Sequence, residues 1–79
     1  MSEQVCDQVL DITGETCPMT YVRTRLALDR LAPGQVLAVR LSGAEPERNV
    51  PRNAVQQGHA VLATEHDPSG VTTVYLRRG

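Results

Sequence analysis

Glycines and prolines separate the short apolar segments of this 79-residue chain, and these breaks constrain its fold more than any other feature. Pro33-Gly34 and Gly58 are typical of helix ends, because glycine adopts the left-handed backbone conformation there and proline cannot extend a helix. Gly14 indicates a turn, and residues 66–70 predict a tight Pro/Gly loop. The breaks therefore divide a single domain, residues 1–79, into short helices and strands.

The pattern between the breaks predicts the element order β-α-β-α-β-β. We expect a first helix over residues 18–31, in which Val22, Leu26 and Leu31 form a buried stripe that Ala27 and Leu28 broaden. Pro46 or Pro51 begins the second helix, after a loop over residues 42–46. The expected strands are residues 6–12, 36–41, 59–65 and 71–77. Two helices cannot cover both faces of four strands, so we predict an α+β fold, a two-layer α/β sandwich with a mixed four-stranded sheet and both helices on one face.

Charge and aromatic content argue against nucleic-acid and membrane binding. The formal net charge is −1 and only 3% of residues are aromatic. The chain therefore lacks a basic field that would attract phosphates. It also has too few aromatic rings to stack on bases. All eight cationic side chains are arginines, so no lysine is available for Schiff-base chemistry. We expect no direct nucleic-acid binding and no membrane association.

The two cysteines, Cys6 and Cys17, are fewer than a small secreted scaffold normally carries. The first residues, Met1-Ser2-Glu3-Gln4, are acidic and polar, and no basic region precedes an apolar run. We therefore expect no signal peptide, and a cytoplasmic protein whose thiols stay reduced.

Cys17 is the residue best suited to chemistry. It lies at a predicted strand-to-helix turn, and Pro18 suits the first helical position because its missing N–H would be unpaired there anyway. Free N–H groups and the positive end of a helix dipole favour a thiolate, which is the nucleophilic form. The alternative is a small buried side chain, but turns that lead into helices tend to be exposed.

Four motifs, taken in order, resemble the TusA (SirA-like) sulfur-carrier family over about residues 8–78: Gly14-x-x-Cys17-Pro18, Leu31-Ala32-Pro33-Gly34, Val50-Pro51 and Gly58-His59. The resemblance implies a sandwich like the C-terminal domain of a bacterial translation initiation factor. It also implies that Cys17 carries a persulfide sulfur, with no separate cofactor. The sulfur would come from a cysteine desulfurase or rhodanese-like donor and pass to an acceptor protein, for tRNA thiolation, molybdenum-cofactor enzymes or sulfur oxidation. The chain would be a sulfurtransferase-type carrier rather than a stand-alone turnover enzyme.

The chain departs from the family motif at Thr20, where the family usually has a second proline. Thr20 retains an N–H and adds a hydroxyl that can bond locally. Gly43-Ala44 also stands where family members often carry an acidic residue. We expect Pro18, Gly14 and Thr20 to support the site, and these departures to affect the partner more than the chemistry.

Other polar residues leave alternatives open. Cys6 either packs without a role or forms a disulfide with Cys17, which requires Cα atoms within about 7 Å. His59 and His66 lack metal-ligand spacing with the cysteines, so we expect no metal site. Arg23, Arg48 and Arg52 are candidates to dock an acidic partner at the Cys17 edge, and are otherwise ordinary surface charges. The rival functions are a non-catalytic interaction module and a Cys6/Cys17 redox switch.

Overall fold

The computed structural model describes residues 6–15 and 19–79. Residues 1–5 and Thr16, Cys17 and Pro18 lie outside the described residues. The described chain forms β1 (Gln8–Asp11), α1 (Met19–Asp29), β2 (Val36–Ser42), α2 (Ala44–Gln56), β3 (Ala60–His66) and β4 (Val71–Arg77). The predicted order of elements is confirmed.

The four strands form one mixed sheet in the order β1-β2-β4-β3. β1 pairs parallel with β2, whereas β4 pairs antiparallel with both β2 and β3. Asp7 fixes the start of the parallel pair, because its N–H donates to the Val36 carbonyl and its carboxylate accepts from the Val36 N–H, both at 2.8 Å. A parallel pair needs a crossover connection, which α1 provides. The predicted mixed sheet is confirmed.

Alternate residues of the two central strands build the core. Leu37 pairs with Leu76 and Val39 with Val74, so these four side chains share one face of the sheet. The helices and the segments that flank them complete the cluster with Ile12, Leu28, Leu31, Val50 and Ala54. Both helices therefore pack on the same face, as predicted.

The opposite face of the sheet is polar. Arg40 and Asp11 form an exposed ion pair there, with 3.3 Å between Nη1 and Oδ2. The Tyr75 hydroxyl donates to Glu65 across the β3–β4 pair at 3.3 Å. This face needs no second layer, because its side chains are partly solvated or paired.

The predicted buried stripe of α1 is wrong at two positions. Val22 is 40% exposed and Leu26 is 55% exposed. The helix buries Leu28, as predicted, together with Thr20 and Thr24, which were not predicted to be buried. Burial of the Thr24 hydroxyl is tolerated because it donates to the Thr20 carbonyl one turn earlier, at 2.8 Å. Leu31 is buried, as expected.

The predicted start of α2 is also wrong, because both candidate prolines lie inside the helix. The helix begins at Ala44, so the expected loop over residues 42–46 is reduced to Gly43 between β2 and α2. Gly43 has φ 108°, a conformation that glycine adopts without steric cost. Pro46 falls in the first helical turn, where an N–H has no partner in the helix.

Other boundaries differ by one or two residues. β1 begins at Gln8 rather than Cys6, and α1 ends at Asp29 rather than at residue 31. Gly58 has a φ of 93° just after α2, which confirms its predicted role in ending that helix. Gly34, with a φ of 91°, lies instead in the turn before β2, because α1 already ends at Asp29. Within the described ranges, no helix is long and apolar enough to cross a membrane.

Two leucines of α1 test this assignment of the buried face. We expect Leu28→Ala to lower the free energy of unfolding by about 2–5 kcal/mol, because it removes a fully buried side chain and leaves a cavity. Leu26→Ala, the matched control, should change it by less than about 0.5 kcal/mol. Urea denaturation of both variants measures the difference. An equal or larger loss for Leu26→Ala would contradict the observed orientation of α1.

Candidate functional site

The strand pairing brings the ends of several strands and helices to one edge of the sheet, which we call the site edge. The carboxyl ends of β1 and β2 lie there because the two strands are parallel. The first turns of α1 and α2 follow these strand ends, and the β3–β4 turn joins the same edge. Cys17 and Pro18 belong to the connection between Glu15 and Met19 at this edge, but lie outside the described residues.

A hydrogen-bonded turn ends β1 at the site edge. The backbone N–H and hydroxyl of Thr13 both donate to Asp11 Oδ1, at 3.0 and 2.7 Å. The Thr13 N–H, its hydroxyl and the Arg40 guanidinium lower the pKa of Asp11, so the carboxylate is charged at neutral pH. The Glu15 N–H then donates to the Ile12 carbonyl at 3.0 Å. The turn was predicted from Gly14, but its hydrogen bonds to Asp11 were not, although Asp-x-Thr after a strand is a typical signal for them.

Gly14 lies in this turn without the left-handed φ that favours glycine. A Cβ placed on it would meet no heavy atom of the described residues within 4 Å. The turn therefore does not require glycine on conformational grounds. The supporting role expected of Gly14 stays a prediction. The space that glycine leaves among the described residues beside the connection supports that role.

Thr20, the position where the chain departs from the family motif, faces inward. It is the second residue of α1 and is only 1% exposed. Its side chain is therefore not part of the surface that a partner would contact. Any effect of this departure on a partner would have to act through the shape of the first helical turn.

Arg23 and Glu15 form an ion pair across the undescribed connection. Arg23 Nη1 lies 3.6 Å from Glu15 Oε2, and both side chains are partly exposed. Exposed pairs add little stability, about 0–1 kcal/mol. The pair places the Arg23 guanidinium beside the Glu15 carboxylate, and Glu15 is two residues from Cys17 in sequence.

The other two candidate docking arginines lie on α2. Arg48 and Arg52 are exposed there, on the side of the helix opposite the buried Val50. Arg52 also donates to Asn49 Oδ1 at 2.8 Å. Their docking role stays a prediction.

A polar cluster at the site edge was not anticipated from the sequence. The Thr72 hydroxyl donates to Glu47 Oε1, and His66 Nδ1 lies 3.1 Å from the same hydroxyl oxygen. The cluster fastens the first turn of α2 to the β3–β4 end of the sheet. Its members come from three elements, so no local sequence pattern reveals it. No group of three or more possible metal ligands occurs among the described histidines, cysteines and acidic residues.

Cys6 and His59 lie away from the site edge. Cys6 precedes β1 as a half-buried free thiol, whereas the Glu15–Met19 connection follows that strand. A strand rises about 3.3 Å per residue, so Cys6 and Ile12 are roughly 20 Å apart. His59 accepts a hydrogen bond from the Gly79 N–H at 3.0 Å, at the opposite end of the β3–β4 pair.

Comparison with known proteins gives a consistent result. A family model described as "Sulfurtransferase TusA" matches residues 8–78. A relative from Archaeoglobus fulgidus, named "Putative sulfur carrier protein", is 42% identical over 59 residues, which cover 75% of this chain and 67% of the relative. "Putative sulfur carrier protein YedF" from Escherichia coli is 36% identical over 76 residues, which cover 96% of each chain.

A solved structure has the same fold. The crystal structure of the SirA-like protein from Desulfitobacterium hafniense superimposes with a TM-score of 0.81 at 25% sequence identity. The match covers 91% of this chain and 97% of that one. The two-layer arrangement and the site edge are therefore shared with a protein of known structure.

Two glycines test how the turn before Cys17 is built. We expect Gly14→Ala to change the free energy of unfolding by less than about 0.5 kcal/mol, because Gly14 has no left-handed φ and the added methyl group meets no heavy atom of the described residues. Gly58→Ala should cost about 1–2 kcal/mol, because alanine must adopt the left-handed conformation there. Thermal unfolding of the two variants provides the comparison. A larger loss at Gly14 than at Gly58 would show that the turn depends on glycine after all.

Proposed function

Because the chain belongs to the TusA sulfurtransferase family, we propose that it is a sulfur carrier that holds a persulfide on Cys17. The single observation that carries this proposal is the family match over residues 8–78, a range that includes Cys17-Pro18. The described residues on either side support it. Asp11 and Thr13 end β1 at the site edge, and α1 begins two residues after Cys17.

The proposed transfer has two balanced steps. The Cys17 thiolate attacks the outer sulfur of a donor persulfide, a new S–S bond forms, and the donor thiolate leaves. A thiolate of the acceptor protein then attacks the outer sulfur on Cys17, and the Cys17 thiolate leaves. Neither step needs an external oxidant or reductant. A lowered pKa at Cys17 raises its thiolate fraction for loading, and it makes the Cys17 thiolate a faster leaving group on release.

Electrostatics at the start of α1 support a thiolate at Cys17. The first N–H groups of a helix have no partner within it, and they carry the positive end of the dipole. The guanidinium of Arg23 offsets the negative charge of Glu15, which would otherwise oppose a thiolate two residues away in sequence. This arrangement requires no histidine base, and Pro18, Gly14 and Thr20 would serve to shape the turn.

The proposed partners are a sulfur-donor protein, such as a cysteine desulfurase or a rhodanese-like protein, and a sulfur-acceptor protein. The exposed guanidinium groups of Arg48 and Arg52 suit carboxylates on such a partner. We place the carrier in the cytoplasm, in a pathway such as tRNA thiolation, molybdenum-cofactor assembly or sulfur oxidation. The chain would be loaded and unloaded by its partners, and so would not turn over a substrate alone.

The redox-switch alternative receives less support. A disulfide between Cys6 and Cys17 requires Cα atoms within about 7 Å. Cys6 precedes β1, whereas the connection that contains Cys17 follows the other end of that strand. No specific feature favours a pure interaction module over a carrier, and the experiment below separates the two.

Intact-mass measurement after incubation with inorganic polysulfide, or with a cysteine desulfurase and cysteine, tests the proposal. We expect the wild-type chain and Cys6→Ser to gain the mass of one sulfur atom, which reduction removes. Cys17→Ser should gain none, because its hydroxyl cannot form a persulfide.

Three results would count against the carrier. No gain of mass at Cys17 with either donor would leave the interaction module as the better function. A loss of two hydrogens that requires both cysteines would favour the redox switch. Equal loading of Cys17→Ser would assign the sulfur to Cys6.

A further inference from the structure

A continuous groove lies between the edge strand β1 and helix α1. Two adjoining cavities, of about 280 and 240 Å³, share the lining residues Leu10, Ala27 and Arg30. One cavity extends to Leu37, and the other extends to Met19 at the start of α1. We call these two cavities together the β1–α1 groove. It ends at the residue of α1 that is nearest in sequence to Cys17.

The walls of the β1–α1 groove combine polar and apolar surface, and part of the apolar surface is accessible. Leu31 and Leu37 from the core form part of its floor. Met19 and Leu26 line it as well, and their exposed fractions are 45% and 55%. Exposed apolar side chains that are contiguous along a groove mark a binding surface more often than scattered ones do.

The charge of the groove is of one sign. Arg23 and Arg30 are its charged lining residues, and no acidic residue lines either cavity. Within residues 6–15 and 19–79, Arg30 forms no ion pair with a carboxylate, whereas Arg23 is paired with Glu15. The groove is therefore complementary to a ligand that combines apolar side chains with carboxylates.

The backbone of β1 adds a second kind of contact. β1 is an edge strand, and no strand of the described chain pairs with its outer side. The outer N–H and C=O groups of such a strand can pair with an added extended segment. Every second side chain of that segment would then face the groove, and the side chains between them would face away from it.

We propose that the β1–α1 groove binds an extended segment of a protein partner, rich in apolar and acidic residues, as an added strand beside β1. The identity of this partner, as a protein that exchanges sulfur with Cys17, rests on the proposed function. Binding there would bring the partner chain to Met19, the start of the helix that follows Cys17. The groove would thus select partners independently of the sulfur chemistry.

An NMR titration of the ¹⁵N-labelled full chain tests this surface. The probes are a capped synthetic peptide that repeats valine-threonine-glutamate-threonine, so that valine and glutamate share one face of the strand, and a matched peptide with lysine in place of glutamate. We expect amide shifts confined to β1 and the adjoining face of α1. The glutamate peptide should bind at least about tenfold more tightly than the lysine peptide, a difference of about 1.4 kcal/mol.

Charge variants sharpen the test. Arg30→Glu should remove or reverse the preference for the glutamate peptide, because it changes the sign of the charge in the groove. Arg25→Glu is the matched control, since Arg25 is an exposed arginine of α1 that does not line the groove. An equal effect of the two variants would show that only the overall charge matters, and would overturn the inference.

Other outcomes assign the groove differently. The absence of shifts at millimolar peptide, or shifts at the other edge strand β3, would overturn the inference. A concentration-dependent dimer with shifts in β1 would assign the groove to a second copy of the chain. A marked gain in peptide affinity on deletion of residues 1–5 would assign it to this chain's own N-terminal residues.

The titration also separates this inference from the proposed function. Cys17→Ser should show the same peptide shifts as the wild type, because no groove residue is altered. Peptide binding without sulfur loading would refute the carrier function alone. Sulfur loading without peptide binding would refute the groove alone.

Discussion

The parallel pairing of β1 with β2 is the constraint on which the rest of the structure depends. It extends over only four residue pairs, from Gln8–Leu37 to Asp11–Arg40, and Asp7 fixes its start through two hydrogen bonds to Val36. A parallel pair cannot be closed by a tight turn, so the chain must cross back over the sheet through α1. The start of α1 therefore lies at the same edge as the ends of β1 and β2.

Hydrogen bonds hold together the elements that meet at this edge. The Asp11–Thr13 turn ends β1, and the contacts of Thr72 with Glu47 and His66 hold the start of α2 against the sheet. In the proposed function, one sulfur atom is presented to two different proteins. We therefore expect specificity to come from the surfaces around that atom, such as the β1–α1 groove.

Much of the fold could be predicted from residue patterns, and the failures have physical causes. The end of α2 at Gly58 and the β3–β4 turn were predictable because left-handed glycines and Pro/Gly loops are local signals. The buried face of α1 was predicted at Leu28 but not at Thr24, whose hydroxyl donates to the Thr20 carbonyl within the helix, and Leu26 is exposed. The Glu47–Thr72 contact joins residues 25 positions apart, and no local pattern reports it. Cys17 was identified from its motif, and its environment at the start of α1 stays a prediction.

The central claim is that the start of α1 stabilises a thiolate at Cys17, and the pH dependence of alkylation tests it most directly. The rate with iodoacetamide is measured in the Cys6→Ser chain, so that Cys17 is the only thiol. The account predicts a half-maximal rate clearly below the ordinary cysteine pKa of about 8.5, because only the thiolate reacts. A midpoint at or above that value would show that the helix does not activate this cysteine and would contradict the account.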